Sequence, residues 1–122
     1  MIAAHIELIL LLTGLATAGA LVVFLAPCSM LKLLFGRAPA DALDLLLARH
    51  WGLLVGLVGA LLIYAASHAE VRVPALLVAI GEKVAFALGV LTSPFRRRPT
   101  ALVMALADAG MAAVYVLYLT GL

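Results

Sequence analysis

The chain has 122 residues, 67% of them hydrophobic and only 11% charged, with a formal net charge of +2. A soluble domain carries about 25% charged residues, so this composition excludes a water-soluble monomer and points to an integral membrane protein. So small a net charge gives no electrostatic footprint for nucleic acid.

A membrane-crossing helix needs roughly 20 apolar residues, and four runs supply them, over residues 6–26, 44–66, 73–92 and 100–120. Their apolar residues are continuous rather than alternating, which predicts helices and not barrel strands. The fold class expected is all-α, an integral membrane four-helix bundle forming a single transmembrane domain over residues 1–122. The opening "MIAAHIELIL" lacks Lys and Arg, so it does not read as a secretory signal, and the first run is expected to be a retained helix. Pro27 should end it. "SMLKLLFGR" then sets five large apolar residues around Lys32, too short to span and too apolar for water. A short interfacial helix between helices 1 and 2 is expected there, stopped by Gly36. Asp41 and Asp44 are spaced as an N-cap and its third helical residue at the start of helix 2. Cys28 is the single cysteine, so an internal disulfide and a CxxC pair are excluded.

The connection after helix 2, "SHAEVRVP", is short and makes helices 2 and 3 antiparallel neighbours. His68, Glu70 and Arg72 are read there as a solvated turn, and Glu7 as an interfacial side chain. "TSPFRRRP" breaks helix 3 from helix 4 with two prolines. Lys32, Arg37, Arg49, Arg96, Arg97 and Arg98 fall at the end holding the first and third connections, and Arg72 at the other. This bias predicts that both basic connections are cytoplasmic and both termini outside. The localisation expected is the bacterial cytoplasmic (inner) membrane, multi-pass. Tyr64, Tyr115 and Tyr118 lie toward the outer boundary and read as its aromatic belt. Rows of small residues read as packing faces: Ala48, Gly52, Gly56 and Ala60 on helix 2, Gly81, Ala85 and Gly89 on helix 3, and Ala101, Ala105, Ala109 and Ala113 on helix 4.

"VAIGEKVAFALGV" sets Glu82 and Lys83 side by side in an otherwise apolar run. Counting about 1.5 Å per residue from the basic ends puts them roughly 14–15 Å deep, Asp108 roughly 12 Å deep, and Arg49 and His50 roughly 8–9 Å deep. A charge at a span centre costs about 2.5–3.5 kcal/mol on the insertion scale, so these side chains should face inward and pair. Depth assigns Lys83 to Asp108, and reach assigns Glu82 to Arg49 or His50. Two readings stand side by side. Buried pairs fix which helices pack and in what register, or the layer lines a ligand or proton path. On the second reading Arg49, His50, Trp51, Glu82, Lys83 and Asp108 are the ligand-binding residues, with Trp51 either a wall of the site or an interfacial anchor. No catalytic residue, metal site or cofactor motif is read from the chain.

The proline-ended first helix leading into "APCSMLKLLFG", then "RHWGLLVGLVGALLIYAA", "GEKVAF" and "ADAGMAAVYVLYL", resembles the small four-helix bacterial membrane proteins of the DoxX-like group. The resemblance covers most of the chain and implies an accessory or quinone-facing role. The function expected is therefore a non-enzymatic membrane protein, an accessory subunit or a lipid or quinone binder with a buried charged cluster. The alternatives are a small dimeric proton-coupled transporter and a lipid-modifying membrane enzyme. Partners expected are membrane lipids and an amphiphilic ligand, with a homo-oligomer or a membrane complex left open, and no nucleic acid.

Overall fold

A computed structural model describes residues 2–121. The elements are all helical: α1 (Ile6–Ala18), α2 (Leu21–Leu25), α3 (Pro27–Phe35), α4 (Ala42–Ser67), α5 (Arg72–Leu91) and α6 (Pro99–Leu119), with single 3-10 turns at Ala3–His5, Ala69–Val71 and Pro94–Arg97. Four segments are long and apolar enough to cross a membrane: Ala3–Leu25, Ala42–Ser67, Ala69–Leu91 and Pro99–Leu119. They coincide with the four runs read from the sequence.

The first of these segments is interrupted. Thr13 and Thr17 donate their hydroxyls to the carbonyls of Ile9 and Thr13, each at 2.7 Å, and such back-bonding bends helices. Just beyond, the amides of Ala20, Val22 and Val23 bond three residues back, to Thr17, Gly19 and Ala20. The break at Gly19 and Ala20 is thus a tightened 3-10 stretch inside the span. Ala26 leaves helical geometry and Pro27 opens α3 at its first turn, where its missing N–H costs nothing.

Helix α3 is the short helix expected between the first two spans. Gly36 closes it with φ +85°, a conformation that favours glycine. The carbonyls at its end are satisfied from the far side of the sequence. Arg98 Nη2 donates to Lys32 O and Leu33 O, both at 3.3 Å, and the Thr100 hydroxyl donates to Leu33 O at 3.1 Å or Leu34 O at 2.7 Å. The two basic connections therefore meet at one end of the bundle. At the start of α4 the Asp41 side chain accepts the Asp44 amide at 2.8 Å, the cap read from the spacing. At the opposite end Arg72 is not solvated. Its side chain is 12% exposed and donates to Ala65 O at 2.8 Å and Ala66 O at 2.6 Å, occupying carbonyls that α4 leaves open at its C-terminus.

Helices α1 and α2 pack along α4, α5 packs chiefly on α6, and α3 lies across α4 and α6. The α1–α4 contact is glycine-lined. A Cβ on Gly59 would collide with Ala18 N at the end of α1, and one on Gly52 would stand 2.8 Å from Ala20 O just before α2. The small-residue rows read from the sequence are only partly the packing faces. On α4 the buried row turns from Gly56 to Gly59, and Ala60 is exposed. On α5 Gly81, Ala85 and Gly89 are all exposed. The reason is rotational: Lys83 is buried, and residues two positions away on a helix lie about 200° round from it. Burying the charge turns the small row outward. On α6 Ala101 and Ala105 are buried, whereas Ala109 and Ala113 are exposed.

Two apolar clusters result. One, toward the end away from the basic connections, includes Leu10, Leu62, Leu76, Ala79 and Tyr115; the other, near the basic end, holds Ala87, Val90, Ala101 and Ala105. Lys83 lies between them on α5, after Ala79 and before Ala87.

Candidate functional site

The polar layer between the two clusters is assembled from three spans. Lys83 on α5 is 1% exposed. Its Nζ donates to Asp108 Oδ1 on α6 at 3.1 Å and to Thr17 Oγ1 on α1 at 2.8 Å. The Thr17 hydroxyl already spends its hydrogen on Thr13 O, so its oxygen lone pairs are left for the ammonium. The network extends outward: Tyr115 on α6, fully buried, donates to Thr13 Oγ1 at 2.6 Å. Every hydroxyl in this chain has one direction in which to donate, which fixes α1 against both α5 and α6.

The pairing of Lys83 with Asp108 is the one read from depth. The pairing of Glu82 with Arg49 or His50 is not formed: both are exposed, and neither contacts Glu82. Helix α4 presents Ala48 and Gly52 to the interior, and Arg49 and His50 lie about 100° and 200° round from Ala48. Glycine contact with α1 sets that rotation, so the two basic side chains leave the site. Tyr115 is likewise not part of an aromatic belt, because it is buried as a donor to Thr13. Tyr64 is 51% exposed and stacks on His68 at 3.8 Å between ring centroids.

Beside the network lies a cavity of about 330 Å³. Glu82, Lys83, Asp108 and Thr17 line it together with Trp51 and Phe86, and α3 adds Met30 and Leu34. Ala16 and Gly19 line it and are exposed, so the cavity reaches the bundle surface beside the break in the first span. Glu82 Oε1 is buried and has no hydrogen-bond partner. Lys83, with three N–H groups, uses two. The cavity thus holds an unused acceptor and an unused donor.

A second cavity of about 440 Å³ sits at the basic end, lined by Phe35, Arg37, Asp44, Trp51, Phe86 and Phe95 among others. Trp51 and Phe86 line both cavities and stack with centroids 5.7 Å apart and planes at 24°. Phe35 meets each of them edge-on, at 6.3 and 6.5 Å, and Phe95 meets Phe35 at 5.2 Å. Trp51 is therefore a wall between cavities and not an isolated interfacial anchor.

Sequence reasoning missed Thr13, Thr17, Tyr115, Phe35 and Phe86. Two signals point to the first three, and none in the spacing marks Phe35 or Phe86. Thr13 and Thr17 are hydroxyls four apart in an apolar span, which places them on one face. Tyr115 follows Asp108 by seven residues, two helical turns, and so shares its face. Among the described residues no three His, Cys, Asp or Glu side chains gather as metal ligands would. The chemistry the site offers is recognition of a polar group by one ion pair, one free carboxylate oxygen and two aromatic rings. Comparison with family models, curated proteins and solved structures gives no match for the chain.

Proposed function

We propose that this chain crosses a bacterial cytoplasmic membrane four times, with both termini outside, and holds an amphiphile by its polar head in the cavity beside Glu82 and Lys83. The observation that carries the reading is the buried, unpartnered Glu82 Oε1 in a cavity that also contains Lys83. A buried polar atom without a partner costs about 1–3 kcal/mol, and a ligand group that meets it removes that cost. At 330 Å³ the site is at the small end of ligand pockets, about 300–1,000 Å³, suited to a headgroup with its tail outside. A lipid headgroup offers donors and acceptors together. A quinone ring offers acceptors alone, which match the free N–H of Lys83 but not an ionised Glu82.

Membrane residence is supported by the surface. Leu8, Leu12, Leu15, Leu46, Leu57, Leu77, Leu88 and Val103 are each more than half exposed, an apolar exterior contributed by all four long segments that water does not favour. Orientation is supported by the meeting of the two basic connections at one end. In a background with Cys28→Ser, the Arg97→Cys protein is expected to stay unlabelled by an impermeant maleimide in intact cells and to react after lysis. Labelling in intact cells overturns the orientation.

The binding reading is tested by mass analysis of material extracted from the protein purified in a mild maltoside. A polar-headed lipid near one per chain is expected, and Ala16→Phe, at an exposed lining position, should lower its occupancy several-fold. Lipid at the bulk composition in both proteins removes the proposal.

A further inference from the structure

We infer that the head recognised in this cavity is cationic, an alkylammonium group that pairs with Glu82; the inference rests on the amphiphile-binding reading above. Charge accounting within the cavity leads there. Three charged side chains line it: Glu82, Lys83 and Asp108. Lys83 is committed to Asp108 at 3.1 Å, and Glu82 is in no ion pair among the described residues. When all three are ionised the cavity carries one surplus negative charge. Arg49, the cation nearest in the sequence to Trp51, is exposed on another face of α4 and does not line the cavity. An anionic head would meet two carboxylates and an ammonium already paired. A neutral head would leave Glu82 either charged and unpaired, which is costly in a low-dielectric layer, or neutralised by a proton. A cationic head meets Glu82 directly.

The apolar walls suit the same ligand. Trp51 and Phe86 line the cavity with Glu82, and an organic cation is attracted to an aromatic face, most strongly to that of tryptophan. Glu82 and Phe86 come from α5 and Trp51 from α4, so one head would bridge the two helices. The exposure of Ala16 and Gly19 at the rim gives an attached alkyl chain an exit to the bundle surface. Alkylammonium heads come from two sources, an aminophospholipid of the membrane and a free cationic amphiphile.

Trp51 is the only tryptophan in the chain, so its fluorescence reports on the two cavities it lines, and Glu82, which lines the inner one and not the one at the basic end, distinguishes them. The protein, delipidated in maltoside, is titrated with dodecyltrimethylammonium, dioctanoyl phosphatidylethanolamine, dioctanoyl phosphatidylglycerol and neutral monolaurin. Saturable change with the first two, at least tenfold weaker with the last two, is expected, and Glu82→Gln should abolish the preference while leaving helicity unchanged. Response to dodecyltrimethylammonium without phosphatidylethanolamine assigns the site to free cations. Equal response to all four, in the wild-type protein alone, overturns the cationic inference but leaves the amphiphile site standing. No response of Trp51 to any of them overturns both. Because the wild-type comparison decides, a Glu82→Gln chain that failed to fold would not shelter the inference.

Discussion

Lys83→Ala is expected to cost more stability than any other truncation of a side chain in this protein. The substitution removes the bonds to Asp108 at 3.1 Å and Thr17 at 2.8 Å and leaves two carboxylates, Asp108 and Glu82, lining a cavity with no cation. Breaking a buried ion pair by removing one partner costs about 3–5 kcal/mol, because the survivor's charge stays buried. The Thr17 bond alone is worth less, about 0.6 kcal/mol by the average of membrane hydrogen bonds. The ion-pair loss therefore dominates, and it predicts the behaviour of the double variant. Lys83→Ala with Asp108→Ala removes the orphaned charge and should recover at least 1 kcal/mol relative to the sum of the single losses. Thermal or SDS-induced unfolding in one detergent measures all four corners of the cycle. Strict additivity would mean that Lys83 and Asp108 do not interact in the folded protein.

The same network shows what the sequence could and could not reveal. Height along each span is a one-dimensional count, and it was legible. The four apolar runs, the cap at Asp41, the stop at Gly36 and the level of Lys83 with Asp108 all follow from spacing. Rotation about each helix axis was not, because it is decided between helices. On α4 the rotation follows from Gly52, Gly56 and Gly59 lying against α1 and α2, where added Cβ atoms would meet Ala20, Leu21 and Ala18. That contact turns Arg49 and His50 out of a layer whose depth they share. On α5 it follows from burial of Lys83, which turns Gly81, Ala85 and Gly89 away. Arg72 shows a third limit. As one residue of a short polar connection it reads as solvated, but the carbonyls of Ala65 and Ala66 that it satisfies are open only once α4 has ended beside it.

The rotation of α4 also links packing to the site. Thr17 is the last buried residue of α1, one position before Ala18, the residue seated against Gly59. The glycine contact thus sets the distance at which Thr17 meets Lys83. The break at Gly19 and Ala20 lies immediately beyond, and both residues line the inner cavity. Close packing of α1 and α2 on α4 holds the segment on both sides of the break, and the break itself forms the cavity rim.

Gly59→Ala is accordingly expected to destabilise the bundle and disturb the site together. The added Cβ would collide with Ala18 N and lie 2.7 Å from both Ala18 Cα and Gly14 O. All three are backbone atoms, so no side-chain rotation relieves the contact and α1 must move off α4. Overpacking of this kind costs typically about 1–3 kcal/mol, and the upper end applies where only backbone can yield. Gly81→Ala is the control. A Cβ there meets nothing within 4 Å, and replacing a helical glycine with alanine gains about 0.5–1 kcal/mol from reduced chain entropy. Thermal unfolding followed by far-ultraviolet circular dichroism should separate the two substitutions in sign. Separation of α1 from α4 should also lengthen the Thr17–Lys83 bond and alter the fluorescence of Trp51, which Gly81→Ala should leave unchanged. Equal stability of Gly59→Ala and the wild-type protein would show that the α1–α4 contact is looser than the glycine row requires, and with it the placement of Thr17 beside Lys83 would fall.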